Sequence, residues 1–170
     1  MITPRSAIVF AQLSLVAGMA SAAPVQDATL FGVTIGRTID SYPSCDSEEG
    51  KRKICAYPHK WGPGDSREIE LRPEHPAYLA SNLHVALKGD VIDSFYVDTD
   101  GIGHQDELFE LLRARYGKPS QFKRTIIQNR FGAMFPKVEA SWKLTGGTLI
   151  FRGVEESIDR GSLGIVGEKR

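Results

Sequence analysis

Two short glycine-containing connections constrain the fold of this chain more than any other feature of its sequence. Gly89-Asp90 and Gly146-Gly147 each lie between two runs of β-favouring residues. Glycine adopts the positive φ angles that two-residue turns between antiparallel strands require, so each connection predicts a β-hairpin. We expect the first hairpin to join residues 83–88 to residues 91–99.

The hydrophobic pattern around the second connection predicts which side chains face the core. If the two glycines form the turn, Leu144 lies opposite Leu149. In the same register Trp142 lies opposite Phe151, and all four side chains point to one face of the sheet. We therefore expect a buried aromatic pair across this hairpin.

Residues 105–116 carry the three- and four-residue spacing of apolar side chains that indicates an amphipathic helix. Acidic residues occupy the first turn and basic residues the last, which suits the helix dipole. Gly117, followed by Pro119, is a helix-ending signal. The apolar stripe predicted to face the sheet consists of Leu108, Leu111, Leu112 and Tyr116.

These elements predict an α+β fold, with a curved antiparallel sheet of about six to eight strands and one main amphipathic helix packed on one face. We expect further strands at residues 29–35, 51–57 and 67–71, and a short helix at residues 36–42. Residues 23–170 have a common single-domain size, so we expect one domain.

The first 22 residues have the pattern of a secretory signal peptide. Arg5 precedes an apolar run at residues 7–18, and Ala20-Ser21-Ala22 supplies the small residues of a cleavage site. We expect residues 1–22 to be removed and the remainder to be periplasmic or secreted. The chain has no second apolar run of about 18 residues and no cysteine just after the cleavage site, so we expect neither a membrane span nor a lipid anchor.

Cys45 and Cys55 predict a disulfide bond, because an oxidising compartment favours the pairing of two thiols. Two alternatives are free buried thiols and a metal or redox role. Structural zinc needs four ligands in paired short spacings, and the sequence lacks the partner motif. We expect no metal ion and no cofactor.

The segment from residue 91 to residue 119 has a recognisable order of elements. Val91-Ile92-Asp93-Ser94-Phe95-Tyr96-Val97 leads through a glycine-containing turn to the helix, which ends in Tyr116-Gly117-Lys118-Pro119 and precedes further strands. This pattern resembles exported bacterial envelope proteins of uncharacterised function. It is also distantly similar to the small modules of outer-membrane assembly lipoproteins, although the lipidated cysteine is missing. The resemblance implies a bacterial envelope location and no particular activity.

Charge and motifs exclude several functions. The chain has 21 basic and 21 acidic residues, whereas nucleic-acid binding rests on an excess of Lys and Arg. We therefore expect no nucleic-acid partner. No nucleophile elbow, P-loop or dinucleotide fingerprint occurs, so the sequence predicts no catalytic residue.

Residues 129–136 combine large apolar side chains with glycine and proline. If they are exposed, Phe131, Met134 and Phe135 beside Arg130 have the aromatic, methionine and arginine character of protein-binding hot spots. Trp61, in a second glycine- and proline-containing connection, is the fifth candidate. The alternative is that these side chains fold back and cover an open end of the sheet.

We therefore expect a non-enzymatic module that binds another envelope or extracellular protein, as an inhibitor or immunity protein or as an envelope-assembly factor. One alternative is a small-ligand binder or hydrolase that uses His104 with nearby Asp98, Asp100 and Asp106. Another is a domain that only stabilises a complex. The sequence leaves the oligomeric state open.

Overall fold

The computed structural model describes residues 26–60, 65–71 and 75–168. The predicted leader, residues 1–22, and the candidate binding residue Trp61 lie outside these ranges. Within them the chain forms ten strands, one α-helix and two short 3₁₀ turns. The strands are β1 (Thr29–Leu30), β2 (Val33–Thr34), β3 (Cys55–Ala56), β4 (Ser66–Glu70), β5 (Asn82–Lys88), β6 (Val91–Thr99), β7 (Gln121–Gln128), β8 (Met134–Leu144), β9 (Gly147–Arg152) and β10 (Gly161–Gly167). The helix α1 spans Gln105–Tyr116, and the 3₁₀ turns span Ile39–Ser41 and Gly101–Gly103.

Eight strands form one antiparallel sheet in the order β3-β4-β5-β6-β10-β9-β8-β7, while β1 and β2 form a separate two-stranded sheet. The predicted antiparallel sheet with a single α-helix is thus confirmed in outline, although strands dominate the fold. The predicted curvature is wrong. Within the described ranges β3 and β7 pair on one side only, so the sheet has two separate edges and neither curls nor closes.

One face of the large sheet carries the hydrophobic core. Along β6, Ile92, Phe95 and Val97 are buried, and the residues between them are at least partly exposed. The same face is covered by α1, through Leu108 and Leu112, and by the β1–β2 hairpin. On the other face, which no described helix covers, Tyr96 and Val166 are exposed.

The structure confirms the predicted helix with its boundaries, since α1 begins at Gln105 and Gly117, with a φ of 77°, follows its last residue. Leu108 and Leu112 are buried as expected. Leu111 is 37% exposed, so its placement on the inner face is wrong. It lies on the flank of the stripe that Leu108 and Leu112 define, beyond the reach of the sheet.

The first predicted hairpin is confirmed as β5 and β6. Lys88 pairs with Val91 across Gly89-Asp90, and Gly89 has a φ of 65°. The pairing shifts by one residue between Ala86 and Leu87. This irregularity places an extra residue in β6 near the turn.

The second predicted hairpin forms from β8 and β9, but its register differs from the prediction. Leu144 pairs with Gly147, and Trp142 pairs with Leu149. The turn is therefore Thr145-Gly146. Because the register is displaced by two residues, an even number, each side chain keeps its predicted face and these core residues remain buried.

Contacts with β10 explain why Gly147 is part of a strand rather than of the turn. A Cβ at Gly147 would lie 2.9 Å from the carbonyl oxygen of Val166 in β10. Only glycine fits there without displacing the neighbouring strand. Trp142 consequently has its aromatic neighbours in α1, with the rings of Phe109 and Tyr116 at 6.2 and 6.5 Å, and the predicted direct pair with Phe151 is not formed.

The β-favouring segment at residues 29–35 forms two short strands instead of one, because it folds into the tight β1–β2 hairpin. Its turn contains Phe31 with a φ of 48° and Gly32 with a φ of 81°. A Cβ at Gly32 would lie 2.7 Å from Cδ1 of Ile54. The hairpin is tied to α1 by the hydroxyl of Tyr116, which donates to the carbonyl oxygen of Thr29 at 2.7 Å.

Two further predictions in this region are too long. The helix expected at residues 36–42 is only the 3₁₀ turn Ile39–Ser41, because Gly36 and Ile39 donate their N–H groups to backbone oxygens at the start of β6 and the β5–β6 turn. The strand expected at residues 51–57 is only Cys55–Ala56, and the charged residues before it form turns.

The predicted disulfide bond is confirmed between Cys45 and Cys55, whose Cα atoms lie 4.9 Å apart. Both residues are buried. The bond fastens the turns of residues 44–53 to the edge strand β3. It is also compatible with export to an oxidising compartment.

Replacing Cys45 and Cys55 together with alanine is expected to lower the free energy of unfolding by about 2.5 to 3 kcal/mol, because the unfolded chain gains the freedom of the opened loop. Urea denaturation of both proteins measures the difference. Reductant should shift the midpoint of the natural protein and leave that of the double variant unchanged. Equal midpoints for the two proteins without reductant would show that the cross-link adds no stability.

Candidate functional site

The β7–β8 hairpin holds four of the five predicted binding residues, but the connection within it is shorter than predicted. Met134 and Phe135 belong to β8, so the loop comprises residues 129–133. The Oδ1 atom of Asn129 accepts hydrogen bonds from the backbone N–H of Phe131 and from that of a second loop residue, each at 3.0 Å. The tip of the hairpin is therefore a defined turn.

Phe131 and Met134 are exposed. Their exposed fractions are 79% and 62%, whereas Phe135 is half-buried. The guanidinium of Arg130 lies 4.8 Å from the centre of the Phe131 ring. The fold-back alternative therefore does not hold for Phe131 and Met134.

Two further apolar residues of this hairpin are exposed, and no motif in the sequence marks them. Phe122 and Ile126, both in β7, are 53% and 59% exposed. Together with Phe131 and Met134 they are the four most exposed large apolar side chains in the described ranges. We call these four residues the hairpin patch. A concentration of this kind marks an interaction surface more often than scattered single residues do.

Three members of the hairpin patch share one face of the sheet. In the β7–β8 register Phe122 pairs with Ala140 and Ile126 with Pro136, while Met134 lies four residues before the buried Val138. Even-numbered residues of both strands therefore point to the face that α1 covers. Ile126 and Met134 are 59% and 62% exposed on this face, and Phe122 is 53% exposed although its ring lies next to that of Phe109 in α1.

A groove runs beside the hairpin patch where α1 meets β7. The ring of Phe109 lies 5.1 Å from that of Phe122, and the groove, which also includes Arg113 and Pro119, has a volume of about 530 Å³. An ion pair between Arg124 and Asp106 fastens β7 to the helix on the far side of Phe122. The groove is thus bounded by aromatic rings and basic side chains.

The charge of this region differs from that of the whole chain. Residues 111–138 contain seven basic residues and no acidic residue, although the formal net charge of the chain is zero. The seven are Arg113, Arg115, Lys118, Lys123, Arg124, Arg130 and Lys137. The whole-chain balance used in the sequence analysis conceals this local excess, which a count over short windows reveals.

The acidic residues near His104 do not converge on it. The carboxylate of Asp100 lies 3.7 Å from Nδ1 of His104, and the His104 ring stacks on Tyr78 at 5.0 Å. Asp98 instead pairs with Arg160 at 3.2 Å, and Asp106 pairs with a residue of β7. The structure therefore assembles one carboxylate with this histidine and not the three that the sequence suggested.

The open face of the sheet carries a second polar group of residues. His84 lies between Glu68, whose carboxylate is 3.5 Å from Nδ1, and the ring of Tyr96 at 4.9 Å. These three side chains lie side by side because Glu68 pairs with His84, and His84 with Tyr96, across β4, β5 and β6. The row can bind a proton, but it includes no serine, cysteine or threonine that could act as a nucleophile.

One group of potential metal ligands occurs in the described ranges: Cys45, Cys55 and Glu70, with ligand atoms within 4.8 Å of one another. The two sulfur atoms form the disulfide bond and cannot act as thiolate ligands. A hydrogen bond from the hydroxyl of Tyr57 to Glu70, at 2.8 Å, occupies part of the remaining carboxylate. This group does not provide a metal site while the disulfide is intact.

In the described ranges no helix has the length and apolar character that a membrane crossing requires. No family model, curated protein sequence or solved structure matches this chain.

Proposed function

We propose that this chain is an exported, non-enzymatic module that binds another envelope or extracellular protein through the hairpin patch. Export to the periplasm or beyond is supported by the leader pattern of residues 1–22 and by the disulfide bond. The single observation that carries the binding role is that, among the residues that the structure describes, the four most exposed large apolar side chains lie on one hairpin.

The physical reason is the free energy that a partner gains at such a surface. Full burial of a side chain of the size of Phe or Met contributes about 1.5–3 kcal/mol. Arg130 adds a guanidinium next to an exposed aromatic ring, a combination that is enriched in hot spots. Hydrogen bonds to Asn129 order the hairpin tip before a partner binds, so binding loses less conformational entropy.

Replacing Phe131 and Met134 together with serine is expected to weaken partner binding by at least about 30-fold, the effect of losing about 2 kcal/mol at a hot spot. The tagged full chain, purified from exporting cells, is used to capture partners from envelope and culture-fluid extracts, with mass spectrometry as the readout. A partner that is specific to the hairpin should be captured by the natural chain and lost with the double variant.

The matched control is Val166→Ser. Val166 is 49% exposed but lies in β10, with its side chain on the open face of the sheet. This variant should keep the partner. Equal capture by the natural chain and by the double variant would contradict binding through the hairpin patch, and so would equal loss with Val166→Ser.

The identity of the captured protein separates the two kinds of module. An enzyme or toxin whose activity falls in the complex indicates an inhibitor or immunity protein. A component of an envelope assembly with unchanged activity indicates an assembly factor.

A further inference from the structure

No strand of the described part of the chain pairs with the outer side of β7, which is a long edge next to the hairpin patch. Of the two edges of the large sheet, β3 has two residues and β7 has eight. All eight residues of β7 pair with β8 in one continuous register, and the strand contains neither proline nor a bulge. An edge of this length without interruption is able to accept a further strand.

The register identifies the backbone groups that face outward. The N–H of Asn129 donates to the carbonyl oxygen of Ala133 at 3.0 Å, in line with the β7–β8 pairing. Hydrogen-bonded pairs recur at every second residue of an antiparallel ladder, so the odd-numbered residues of β7 bond to β8. The residues whose backbone N–H and C=O groups face away from β8 are Phe122, Arg124, Ile126 and Gln128.

The side chains along this edge define what the added strand must carry. On the α1 face Phe122 and Ile126 are exposed and apolar, whereas Lys123 lies on the opposite face. An added strand alternates in the same way, so its apolar side chains on the α1 face contact Phe122 and Ile126. On the other face a carboxylate is complementary to Lys123.

We propose that β7 binds an extended segment of the partner protein as a ninth strand, and that this segment alternates apolar with acidic residues. This inference rests on the proposed function and specifies how the partner is recognised. Three of the seven basic residues at positions 111–138 already form ion pairs, Arg113 with Glu110, Arg124 with Asp106 and Lys137 with Glu139. The occupant is acidic because the other four, Arg115, Lys118, Lys123 and Arg130, form no ion pair with a described residue. A second copy of this chain is disfavoured for the same reason, since two β7 strands would bring like charges together.

A displayed library of random decapeptides tests this inference with the full chain as bait. Enrichment of sequences that alternate apolar residues with Asp or Glu is the expected result. Enrichment of basic or proline-rich sequences, or no enrichment over an empty support, overturns it. The dissociation constant of an enriched peptide, measured by fluorescence anisotropy, should rise with salt because charge pairing contributes to binding.

The variant Ile126→Pro tests whether the backbone edge is used, since proline removes the outward N–H of residue 126 and leaves the ladder with β8 intact. We expect binding of the selected peptide to weaken at least about tenfold, which is the effect of losing one or two hydrogen bonds. The comparison variant Ile126→Val keeps the N–H and an apolar side chain, and should bind at least about fivefold more tightly than Ile126→Pro. Equal binding by both variants overturns strand addition.

A second measurement covers the case in which Ile126→Pro fails to fold, as judged by thermal unfolding. The selected peptide is N-methylated at alternate positions in two versions. Only the version that blocks the edge-facing N–H groups should lose binding, because the other N–H groups of an added strand point away from β7. Equal loss in both versions, or in neither, overturns strand addition.

The remaining outcomes concern other occupants and the separation of the two proposals. Tighter binding to vesicles of phosphatidylglycerol, or to a short DNA duplex, than to the selected peptide overturns the inference. A dimer in sedimentation that Ile126→Pro dissociates also overturns the inference.

If capture of a partner is lost when Phe131 and Met134 are replaced but is kept with Ile126→Pro, strand addition fails and the proposed function stands. If capture is indifferent to Phe131 and Met134, the proposed function itself fails.

Discussion

Replacing Trp142 with alanine is expected to lower the free energy of unfolding by about 3–5 kcal/mol, the usual cost of removing a large aromatic side chain from a core. Trp142 is 2% exposed. Its indole Nε1–H donates to the carbonyl oxygen of Gly117 at 2.9 Å, so it also satisfies a backbone group at the end of α1. Urea denaturation followed by circular dichroism measures the loss.

The control Trp142→Phe separates the two contributions of this side chain. Phenylalanine keeps an aromatic ring next to Phe109 and Tyr116 but cannot donate to Gly117. We expect an intermediate loss, because part of the packing remains and the partly buried carbonyl of Gly117 loses its donor. A Trp142→Ala protein within about 1 kcal/mol of the natural one would contradict the central role of this residue in the core.

The elements that the sequence predicted well are those whose signals are local. The helix of residues 105–116 has its apolar spacing, its charged ends and its terminating Gly117 within a few residues of one another. The first hairpin depends on Gly89 and its two flanking runs. The disulfide between Cys45 and Cys55 was predicted from two cysteines and the leader pattern of residues 1–22.

The elements that were missed depend on contacts between distant parts of the chain. The register of the β8–β9 hairpin is fixed by the close approach of Val166 to Gly147. The reversal at Gly32 uses a φ of 81° and leaves Gly32 close to the side chain of Ile54. Neither neighbour is close in sequence, so the turn signals alone favoured a different pairing in the first case and a continuous strand in the second.

In the candidate site, too, some features depend on local signals and others on distant parts of the chain. The apolar composition of residues 129–136 was visible in the sequence and led to Phe131 and Met134. The exposure of Phe122 and Ile126 follows from the position of β7 at an edge, which depends on the order of eight strands. Strand order is a property of the whole sheet, and a pattern within one strand does not reveal it.

Gln105 is the residue whose replacement is expected to have the second large effect. It is 2% exposed at the start of α1, and its amide contacts the β8 backbone twice. Nε2 donates to the carbonyl oxygen of Pro136 at 2.7 Å, and Oε1 accepts from the N–H of Val138 at 3.0 Å. Gly153 leaves the space for this side chain, since a Cβ there would lie 2.3 Å from Oε1.

The variant Gln105→Leu is expected to lower the free energy of unfolding by about 1–4 kcal/mol. The buried N–H of Val138, left unpaired, costs about 1–3 kcal/mol, and the partly buried carbonyl of Pro136 costs less. Leucine has a similar volume, so the loss reports hydrogen bonding more than packing. Urea denaturation measures it, with Leu111→Gln as the control for a substitution at an exposed position of the same helix. A loss no larger than that of the control would show that water satisfies Pro136 and Val138.

The variant Gln105→Glu tests the same contact through the direction in which stability changes with pH. The protonated carboxyl can donate to Pro136 and accept from Val138, whereas the ionised form cannot donate. Burial and the Pro136 carbonyl therefore raise the pKa of the introduced carboxyl in the folded state above its unfolded value of about 4.3. A raised folded pKa gives stability that is present below the unfolded pKa and is lost as the pH rises through the folded pKa.

The stability of the natural protein falls in acid. The free energy of unfolding of each variant is therefore compared with that of the natural protein at the same pH. Lys137, through a side-chain hydrogen bond, lowers the pKa of Glu139, and the stability that this pair contributes is lost as the pH falls. The deficit of Gln105→Glu relative to the natural chain should therefore be large at pH 7 and small at pH 4, while that of Gln105→Leu stays constant. A constant deficit for both variants would mean that the amide of Gln105 does not hold α1 to β8 through a donated hydrogen bond.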